Sequence, residues 1–273
     1  MDKAVMLARG LGTRMQKDDP SAALDAAQAQ AAKTGAKAMI PIAGGGTARP
    51  FLDYVLSALA DAGYRRACLV VGPEHQEVRD YYARMRPKRI KVEYAIQANP
   101  LGTADAVAAA EQFAAGEPFL AVNSDNYYPV EALAGLRGLS GSGLAAFERD
   151  AMIQGGNIPA ERIAKFAVVR IDADGYMTEV IEKPSAEVLR DLPRPVCVSM
   201  NCWRLGPAIF PACRSIPPSP RGELELPHAV QYSMEHLAER YRVLTFRAPV
   251  LDLSCRSDVA PVAGKLRGVE VNL

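Results

Sequence analysis

The chain has 273 residues, a hydrophobic fraction of 49% and a formal net charge of +1 at pH 7. This length suits one large α/β domain or two small ones, and the composition is that of an ordinary globular protein. The balanced charge argues against a protein that binds nucleic acid through a basic face. The sequence contains no apolar run of about 18 residues, and its start lacks the pattern of a signal peptide, so we expect no membrane span.

The five cysteines and three histidines match no metal-binding or redox motif. The cysteines are odd in number and form no C-x-x-C pair, and a chain of this size can fold without disulfides. We therefore expect reduced thiols and a cytoplasmic protein. The histidines lack H-E-x-x-H spacing, which argues against a zinc site.

In the first half of the chain, short apolar runs alternate with amphipathic stretches, which predicts strands separated by helices. The predicted strands cover residues 4–7, 67–71, 90–96 and 118–122, and the predicted helices cover residues 19–34, 50–62, 74–85 and 103–114. Gly35 suits the end of the first helix, and residues 44–46 read as a flexible glycine turn. Such alternation favours a mostly parallel sheet with helices on both faces, in which ligands bind beyond the carboxyl ends of the strands.

The second half carries more strand signals and fewer helix signals. Strands are predicted at residues 143–148, 165–171, 177–182 and 196–205, and helices at residues 207–213, 227–239 and 257–266. We interpret this half as a β-rich portion built onto the first sheet, with no internal repeat. The predicted fold class is α/β, with a Rossmann-like, mostly parallel central sheet covered by helices.

The stretch L-A-R-G-L-G-T-R-M, residues 7–15, follows the first predicted strand, and we call it the glycine loop. Gly10 and Gly12 would let backbone N–H groups approach an anion without a side chain in the way. The loop lacks the third glycine of G-x-G-x-x-G and the G-K-[ST] of a Walker A loop. Arg14 indicates that phosphate charge needs to be neutralised, although it could instead be an exposed loop residue in a surface ion pair.

The glycine loop resembles the L-A-x-G-x-G-T-R-[LM] motif of the sugar-phosphate nucleotidyltransferases, the pyrophosphorylases that make nucleotide sugars. Further matches follow in that family's order between residue 3 and about residue 260. They are K-A-M-I-P-I at 37–42, R-P-F-L-D-Y at 49–54, Q-x4-G-T-A-D-A-V at 97–107, N-S-D-N at 123–126 and E-K-P at 182–184. Weaker matches are Asn201, G-E-L-E-L-P at 222–227, and Asp252. By this ordered set, the chain is identified as a member of the family.

The resemblance implies an enzyme in which a sugar 1-phosphate oxygen attacks the α-phosphorus of a nucleoside triphosphate and pyrophosphate leaves. A phosphate monoester has a second pKa of about 6, so the nucleophile is already an anion and needs no general base. Catalysis then depends on positioning and on neutralising negative charge. The resemblance also implies a Mg²⁺ cofactor and one domain over residues 1–273, with a nucleotide-binding half at about 1–140 and a sugar-phosphate-binding half at about 141–273.

The resemblance assigns roles to individual residues of this chain. The expected catalytic residues are Arg14, Lys37 and Lys183, and the expected nucleotide-binding residues are Leu7, Ala8, Gly10, Gly12, Thr13, Gln97, Gly102, Thr103 and Asp125. The expected sugar-phosphate-binding residues are Glu182, Lys183 and Asn201, and the expected Mg²⁺ ligands are Asp125 and Asp252. In the alternative readings, Asp125 caps a following helix, Lys37 is a solvated lysine and E-K-P is a surface pair.

Several features leave the substrates open. Arg9 replaces the small residue usual in the motif and adds charge to the loop, and the segment between Arg14 and Lys37 is longer than the family pattern. Gln97 can pair with uracil, thymine or guanine. The G-T-A-D-A-V helix start favours UTP or dTTP, although adenylyl-transferring enzymes share it.

The expected partners are a nucleoside triphosphate and a sugar 1-phosphate, without nucleic acid or membrane, and a homo-oligomer is compatible with this reading. One alternative is a guanylyl-, adenylyl- or cytidylyl-transferring member of the family. Another is a catalytically silent paralogue that binds a nucleotide sugar and regulates a partner. The missing third glycine argues against an NAD-dependent oxidoreductase.

Overall fold

The computed structural model describes residues 1–10, 12–20, 22–43 and 47–273, and the elements below belong to these ranges. The strands are β1 (Lys3–Leu7), β2 (Pro41–Ile42), β3 (Arg49–Pro50), β4 (Arg66–Val71), β5 (Lys91–Ile96), β6 (Phe119–Asn123), β7 (Asn126–Tyr127), β8 (Gly143–Glu148), β9 (Val168–Ile171), β10 (Met177–Ile181), β11 (Cys197–Leu205), β12 (Arg242–Phe246) and β13 (Leu251–Asp252).

The α-helices in the same ranges are α1 (Thr13–Gln16), α2 (Ala26–Thr34), α3 (Phe51–Asp61), α4 (Gln76–Met85), α5 (Thr103–Ala109), α6 (Glu111–Ala114), α7 (Val130–Gly138), α8 (Arg149–Gly155), α9 (Ala160–Ile163), α10 (Ala186–Asp191), α11 (Ile209–Ser215), α12 (Leu226–His236) and α13 (Val259–Lys265). Single 3₁₀ turns span Lys37–Met39 and Arg256–Asp258.

A nine-stranded sheet organises the described chain in the order β10-β9-β11-β6-β1-β4-β5, with β8 beside β11 and β12 beside β8. Strands β5, β4, β1 and β6 run parallel. Strand β11 lies antiparallel to β6 and joins the strands of the second half to the same sheet. The predicted α/β class with a mostly parallel central sheet is therefore confirmed.

The sheet separates two hydrophobic cores, which explains why β1 is apolar from Ala4 to Leu7. Ala4 and Met6 point into the core shared with α3, whereas Val5 points into the core shared with α5 and α12. Successive side chains of a strand face opposite sides, so a parallel strand covered on both faces needs a continuous apolar run.

The first predicted helix is wrong at its start. Helix α2 begins at Ala26 rather than near Asp19, because Asp25 supplies the cap. The Asp25 carboxylate accepts from the backbone N–H of Gln28 at 2.8 Å, and the Gln28 side chain accepts from the Asp25 N–H at 3.1 Å. This reciprocal pair satisfies two backbone donors of the first turn. The helix ends at Gly35 as predicted, with φ 74°.

Other boundaries differ where long-range packing decides them. The single helix predicted over residues 103–114 is broken at Ala110 into α5 and α6. The predicted strand at residues 165–171 begins only at Val168. Helix α8, strand β12 and the β7–β13 pair were not predicted. The predicted glycine turn at residues 44–46 lies outside the described residues.

Two global expectations can be compared with the structure. Within the described ranges, no helix combines the length and the apolar character that crossing a bilayer requires. All five cysteines are free thiols, and Cys255 is the most accessible of them.

Candidate functional site

A cavity of about 380 Å³ lies at the carboxyl ends of the central strands. The register places Leu7 level with Asn123, so the segments that follow β1 and β6 leave the sheet side by side. The predicted residues that line the cavity are Leu7, Ala8, Gly10, Gly12, Thr13, Arg14, Lys37, Gln97, Gly102, Thr103, Asp125 and Asn201. The structure therefore brings most of the predicted set to one place. Glu182, Lys183 and Asp252 are not among the lining residues.

Gly12 holds the glycine loop against the end of α2. Its backbone is left-handed, with φ 60°, and a Cβ there would lie 2.3 Å from the carbonyl oxygen of Gly35. Gly10 is different, because the nearest atom to its added Cβ would be Lys37 Cε at 4.0 Å. Packing against protein thus requires a glycine at position 12, whereas Gly10 leaves its space open on the cavity side.

Lys37 reaches the cavity because α2 ends in a left-handed glycine. The backbone N–H of Lys37 donates to the Gly35 carbonyl at 2.8 Å, which starts the 3₁₀ turn. The Lys37 ammonium donates to Asp125 Oδ2, and both side chains are largely buried. Burial acts to lower the pKa of Lys37, but the charge and hydrogen bond of Asp125 outweigh it and raise the pKa above its usual value. The lysine therefore stays protonated at neutral pH.

Asp125 and Asp252 are brought together by the two-stranded β7–β13 pair. Asp252 lies opposite Asn126, and the backbone N–H of Leu253 donates to the Asp125 carbonyl at 2.9 Å. Burial, and then the negative charge of Asp125, raise the pKa of Asp252 to about 6. The two carboxylates thus repel each other, although they are far apart in the sequence.

The Asp252 carboxylate is held by neighbouring side chains. Oδ1 accepts from Asn126 Nδ2 and from Ser254 Oγ, each at 3.0 Å, and Oδ2 lies 3.2 Å from Arg162 Nη2. Arg162 is itself fixed by Asp258 at 2.9 and 3.2 Å. This network orients Asp252, and sequence patterns alone did not identify Arg162.

The resemblance assigns Mg²⁺ to Asp125 and Asp252, and the chemistry of two carboxylates is compatible with that ion. Within the described ranges, no group of three or more histidine, cysteine or acidic side chains forms a metal cluster. Mg²⁺ commonly needs only one or two carboxylates, because it keeps waters and substrate phosphates as its other ligands. The repulsion that raises the Asp252 pKa is the kind that a divalent cation relieves. In the structure, the Lys37 ammonium provides the positive charge beside Asp125.

Residues 97–102 form a second loop beside the cavity, which we call the base loop. The Gln97 side chain is 4% exposed, and its Nε2 donates to the Gly102 carbonyl at 3.0 Å and to Asp105 Oδ2 at 2.7 Å. The sequence analysis expects Gln97 to pair with uracil, thymine or guanine. In this arrangement its N–H groups hold the base loop together, and its side-chain oxygen accepts no hydrogen bond from the residues that the structure describes.

Residues 222–227, which we call the covering segment, pack over the base loop. The backbone of Gly102 has φ +120°, and a Cβ there would lie 2.5 Å from the Leu224 carbonyl oxygen. The Leu224 carbonyl accepts from Ala104 at 2.8 Å, and the Leu224 N–H donates to Leu101 at 2.7 Å. Thr103 Oγ1 accepts from the Leu226 N–H at 2.8 Å. The weak G-E-L-E-L-P match therefore marks a segment that positions the base loop.

The residues expected on the sugar side are more dispersed. Asn201 lines the cavity from a register shift in β11, where its own φ is 53°. Glu182 is half-buried after β10, and burial, followed by the negative charge of Glu225, raises its pKa. Lys183 has φ 45° and an exposed side chain. The E-K-P stretch thus lies outside the wall of the cavity as the structure presents it.

Arg9 points in an unexpected direction. The sequence predicts added charge at the glycine loop, but the guanidinium turns toward the base loop. Its Nη1 donates to the Gln97 backbone carbonyl, and its Nε lies 3.4 Å from Glu74 Oε1. Its side chain is only 8% exposed, yet Arg9 is one of the residues that line the cavity.

Comparison with known proteins places this site in context. The sequence model of the Nucleotidyl transferase family matches residues 31–248. A glucose-1-phosphate thymidylyltransferase of Streptomyces antibioticus is 29% identical over 245 residues, which are 87% of this chain and 58% of that protein. The low-salt glycan biosynthesis nucleotidyltransferase Agl11 of Haloferax volcanii is 27% identical over 239 residues, which are 85% of this chain and 57% of that protein. The chain thus spans less than two thirds of the length of these curated relatives.

Solved structures support the fold. A UDP-glucose pyrophosphorylase complexed with UDP-glucose superposes with a TM-score of 0.72 at 20% identity, covering 96% of this chain and 97% of that one. HddC from Yersinia pseudotuberculosis, complexed with GMP-PN, superposes with a TM-score of 0.63 at 20% identity, covering 98% of this chain and all of that one. Since the family model covers most of the sequence and the motifs occur in the family's order, the chain belongs to the Nucleotidyl transferase family.

Proposed function

We propose that this protein transfers a nucleoside monophosphate from a nucleoside triphosphate to a sugar 1-phosphate, forming a nucleotide sugar and pyrophosphate. The observation that carries the proposal is the convergence of the glycine loop, Arg14, Lys37 and Asp125 on one cavity at the carboxyl edge of the sheet. Ligands of open α/β sheets bind at this edge. The relatives named above, which include a thymidylyltransferase, support the same reaction class.

The chemistry proposed needs positioning and positive charge rather than a general base. The attacking phosphate oxygen is already anionic near neutral pH. Arg14 carries a permanent charge, and the raised pKa of Lys37 keeps its ammonium protonated. Together they would draw the triphosphate into line with the nucleophile and stabilise the negative charge that develops on the leaving pyrophosphate.

Asp125 and Asp252 are the residues proposed to hold Mg²⁺. When bound, the ion would act as a Lewis acid toward phosphate oxygens. Arg162 and Ser254 keep the Asp252 carboxylate oriented. The Lys37 ammonium pairs with Asp125 in the structure and would turn toward a substrate phosphate when the ion binds.

Substrate recognition is divided between the two sides of the cavity in this proposal. Gln97, Gly102 and Thr103 would contact the base, with UTP or dTTP favoured. Asn201, Glu182 and Lys183 would bind the sugar phosphate. The cavity of about 380 Å³ is in the usual size range for a small-molecule site, about 300–1,000 Å³. Lys183 is exposed, so it would have to turn inward to reach a phosphate.

The proposal is tested by measuring pyrophosphate release with a panel of triphosphates and sugar 1-phosphates. We expect release from at least one pair, dependent on Mg²⁺ and lowered by at least about 100-fold in Asp125→Asn, which keeps the side-chain shape. Asp191→Asn, a change at an exposed aspartate of α10, is the matched control and should retain activity. Release that is independent of Mg²⁺ and equal in both variants would contradict the proposal. Binding of nucleotide sugars without any turnover would instead favour the silent paralogue.

A further inference from the structure

Among the described residues, only some of the hydrogen-bond donors of the Arg9 guanidinium have a protein partner. Two of its five N–H donors are engaged, one by the Gln97 carbonyl and one by Glu74. Within the part of the chain that the structure describes, no acceptor bonds to Nη2. This atom is therefore unpaired there, but it is not buried away from solvent. Arg9 lines the cavity together with Gln97, whose carbonyl its guanidinium contacts, so the unused donors are within reach of the space where a ligand would bind.

We propose that Arg9 is a specificity-determining residue that reads the nucleotide base, favouring bases with a keto oxygen at position 4 of a pyrimidine or position 6 of a purine (uracil, thymine or guanine) over bases with an amino group at that position (cytosine or adenine). This inference rests on the proposed function only in taking the ligand to be a nucleoside triphosphate. It extends that function by giving a physical reason for the preference for one class of base.

The position of the guanidinium assigns it to the base rather than to the phosphates. Its two anchors, Gln97 and Glu74, follow β5 and β4. Asp125 follows β6 instead, and it pairs with Lys37 from the 3₁₀ turn after α2. Gln97 also holds the base loop through Gly102. Arg9 therefore bridges the glycine loop to the base loop and leaves the phosphate side to Arg14 and Lys37.

The anchors also limit how far the guanidinium can adapt to a ligand. Glu74 fixes Nε and the Gln97 carbonyl fixes Nη1, so the remaining donors keep one direction. A fixed donor increases the affinity for a base with an acceptor at the matching position and lowers the affinity for a base with a donor there. A bound base would cover the cavity side of this largely buried side chain, so little water could then take the place of a missing acceptor.

The chemistry of the donors determines which bases fit. Uracil and cytosine differ at ring position 4, where one carries an oxygen and the other an amino group, and guanine and adenine differ in the same way at position 6. Arginine only donates, so it pairs with a keto oxygen but opposes an amino group. A charged donor left without an acceptor in a nearly buried site is costly.

The test compares UTP with CTP and GTP with ATP. UTP and CTP differ at position 4 and the adjacent ring nitrogen, and GTP also carries a 2-amino group that ATP lacks, so each ratio is compared with the same ratio in the Arg9 variants. Affinities are measured calorimetrically on the full chain, and kcat/KM for pyrophosphate release is measured in parallel. For the better-bound pair, we expect the keto member to be preferred at least about 10-fold in the unaltered protein. Arg9→Gly, the family-typical residue type, should bring that ratio close to one, and Arg9→Lys should retain part of it.

Arg79→Ala is the matched control. Arg79 also binds the Gly72–Pro73 turn, donating to both carbonyls, but it does not line the cavity. A structural role for Arg9 would weaken both members of a pair equally and leave their ratio unchanged, which would overturn the inference. A preference for CTP or ATP in the unaltered protein would also overturn it.

Failure of the proposed function has a separate outcome. If no pyrophosphate is released but the calorimetric ratio depends on Arg9, the inference about the base stands and the proposed reaction falls. If no triphosphate binds at all, both are refuted.

Discussion

Substitution of Gly12 by alanine should damage the protein much more than the same change at Gly10. Both residues belong to the glycine loop, and both changes add a single methyl group. At position 12 the backbone has φ 60°, and the new Cβ would lie 2.3 Å from Gly35 O and 2.8 Å from Gly35 Cα. At position 10 the nearest atom would be a flexible lysine carbon at 4.0 Å.

The magnitude follows from these distances. Ordinary van der Waals contact begins near 3.4 Å, so one of the two backbone segments must shift by about 1.1 Å. A left-handed conformation costs a residue with a Cβ about 1–2 kcal/mol, and overpacking costs about 1–3 kcal/mol. We expect Gly12→Ala to lower the free energy of unfolding by about 2–5 kcal/mol. Because Gly35 also begins the turn that carries Lys37, a shift of this size should reduce kcat/KM by about 100-fold.

The assay is chemical denaturation of both variants beside the unaltered protein, monitored by circular dichroism. The difference in free energy of unfolding between Gly12→Ala and Gly10→Ala isolates the contact with Gly35, since the added group is identical. A thermal midpoint lowered by about 4 °C or more is the corresponding change on heating. If the two variants unfold within about 0.5 kcal/mol of each other, the reasoning from backbone packing is refuted.

Two further predictions concern the base loop and a buried carboxyl group. Gly102→Ala should raise KM for the triphosphate by at least about 10-fold because the new Cβ would meet a backbone oxygen of the covering segment at 2.5 Å. Gly116→Ala, also at positive φ but in open space, should leave KM unchanged. If Gly102→Ala and Gly116→Ala have the same KM for the triphosphate, the argument is contradicted. The Tyr82 hydroxyl donates a hydrogen bond at 2.9 Å to the carboxylate of the fully buried Asp53. Burial raises the pKa of Asp53, and this hydrogen bond opposes the rise. Folding therefore favours the protonated form of Asp53, and removing the donor raises its pKa further. Because the carboxylate is charged at pH 7, Tyr82→Phe should lower the free energy of unfolding by about 1.5–3 kcal/mol there and by less near pH 4. Tyr94→Phe is the control, and a Tyr82→Phe effect that is independent of pH would refute the assignment.

The alternation of strands and helices and the identity of the glycine loop were predictable from the sequence. They depend on residues close together in the chain, such as the apolar run of β1 and the glycine that ends α2. The start of α2 was predicted wrongly because two competing acidic caps, Asp19 and Asp25, precede the same alanine-rich stretch. The reciprocal hydrogen bonds of Gln28 decide between them.

Site residues are harder to predict, because their directions depend on contacts between distant parts of the chain. Lys37 and Asp125 are 88 positions apart, and Asn126 and Asp252 are 126 positions apart. The side chain of Arg9 turns to a carbonyl 88 positions away, which local patterns do not encode.

The sequence by itself determined the α/β fold class and the family, because hydrophobic periodicity and ordered short motifs are properties of neighbouring residues. Only the tertiary structure decided that the covering segment packs on the base loop, that Arg162 orients Asp252 and that Lys183 lies outside the wall of the cavity. The physical reason is that a side chain's direction and burial are set by the surfaces packed around it, and those surfaces exist only after the sheet has assembled.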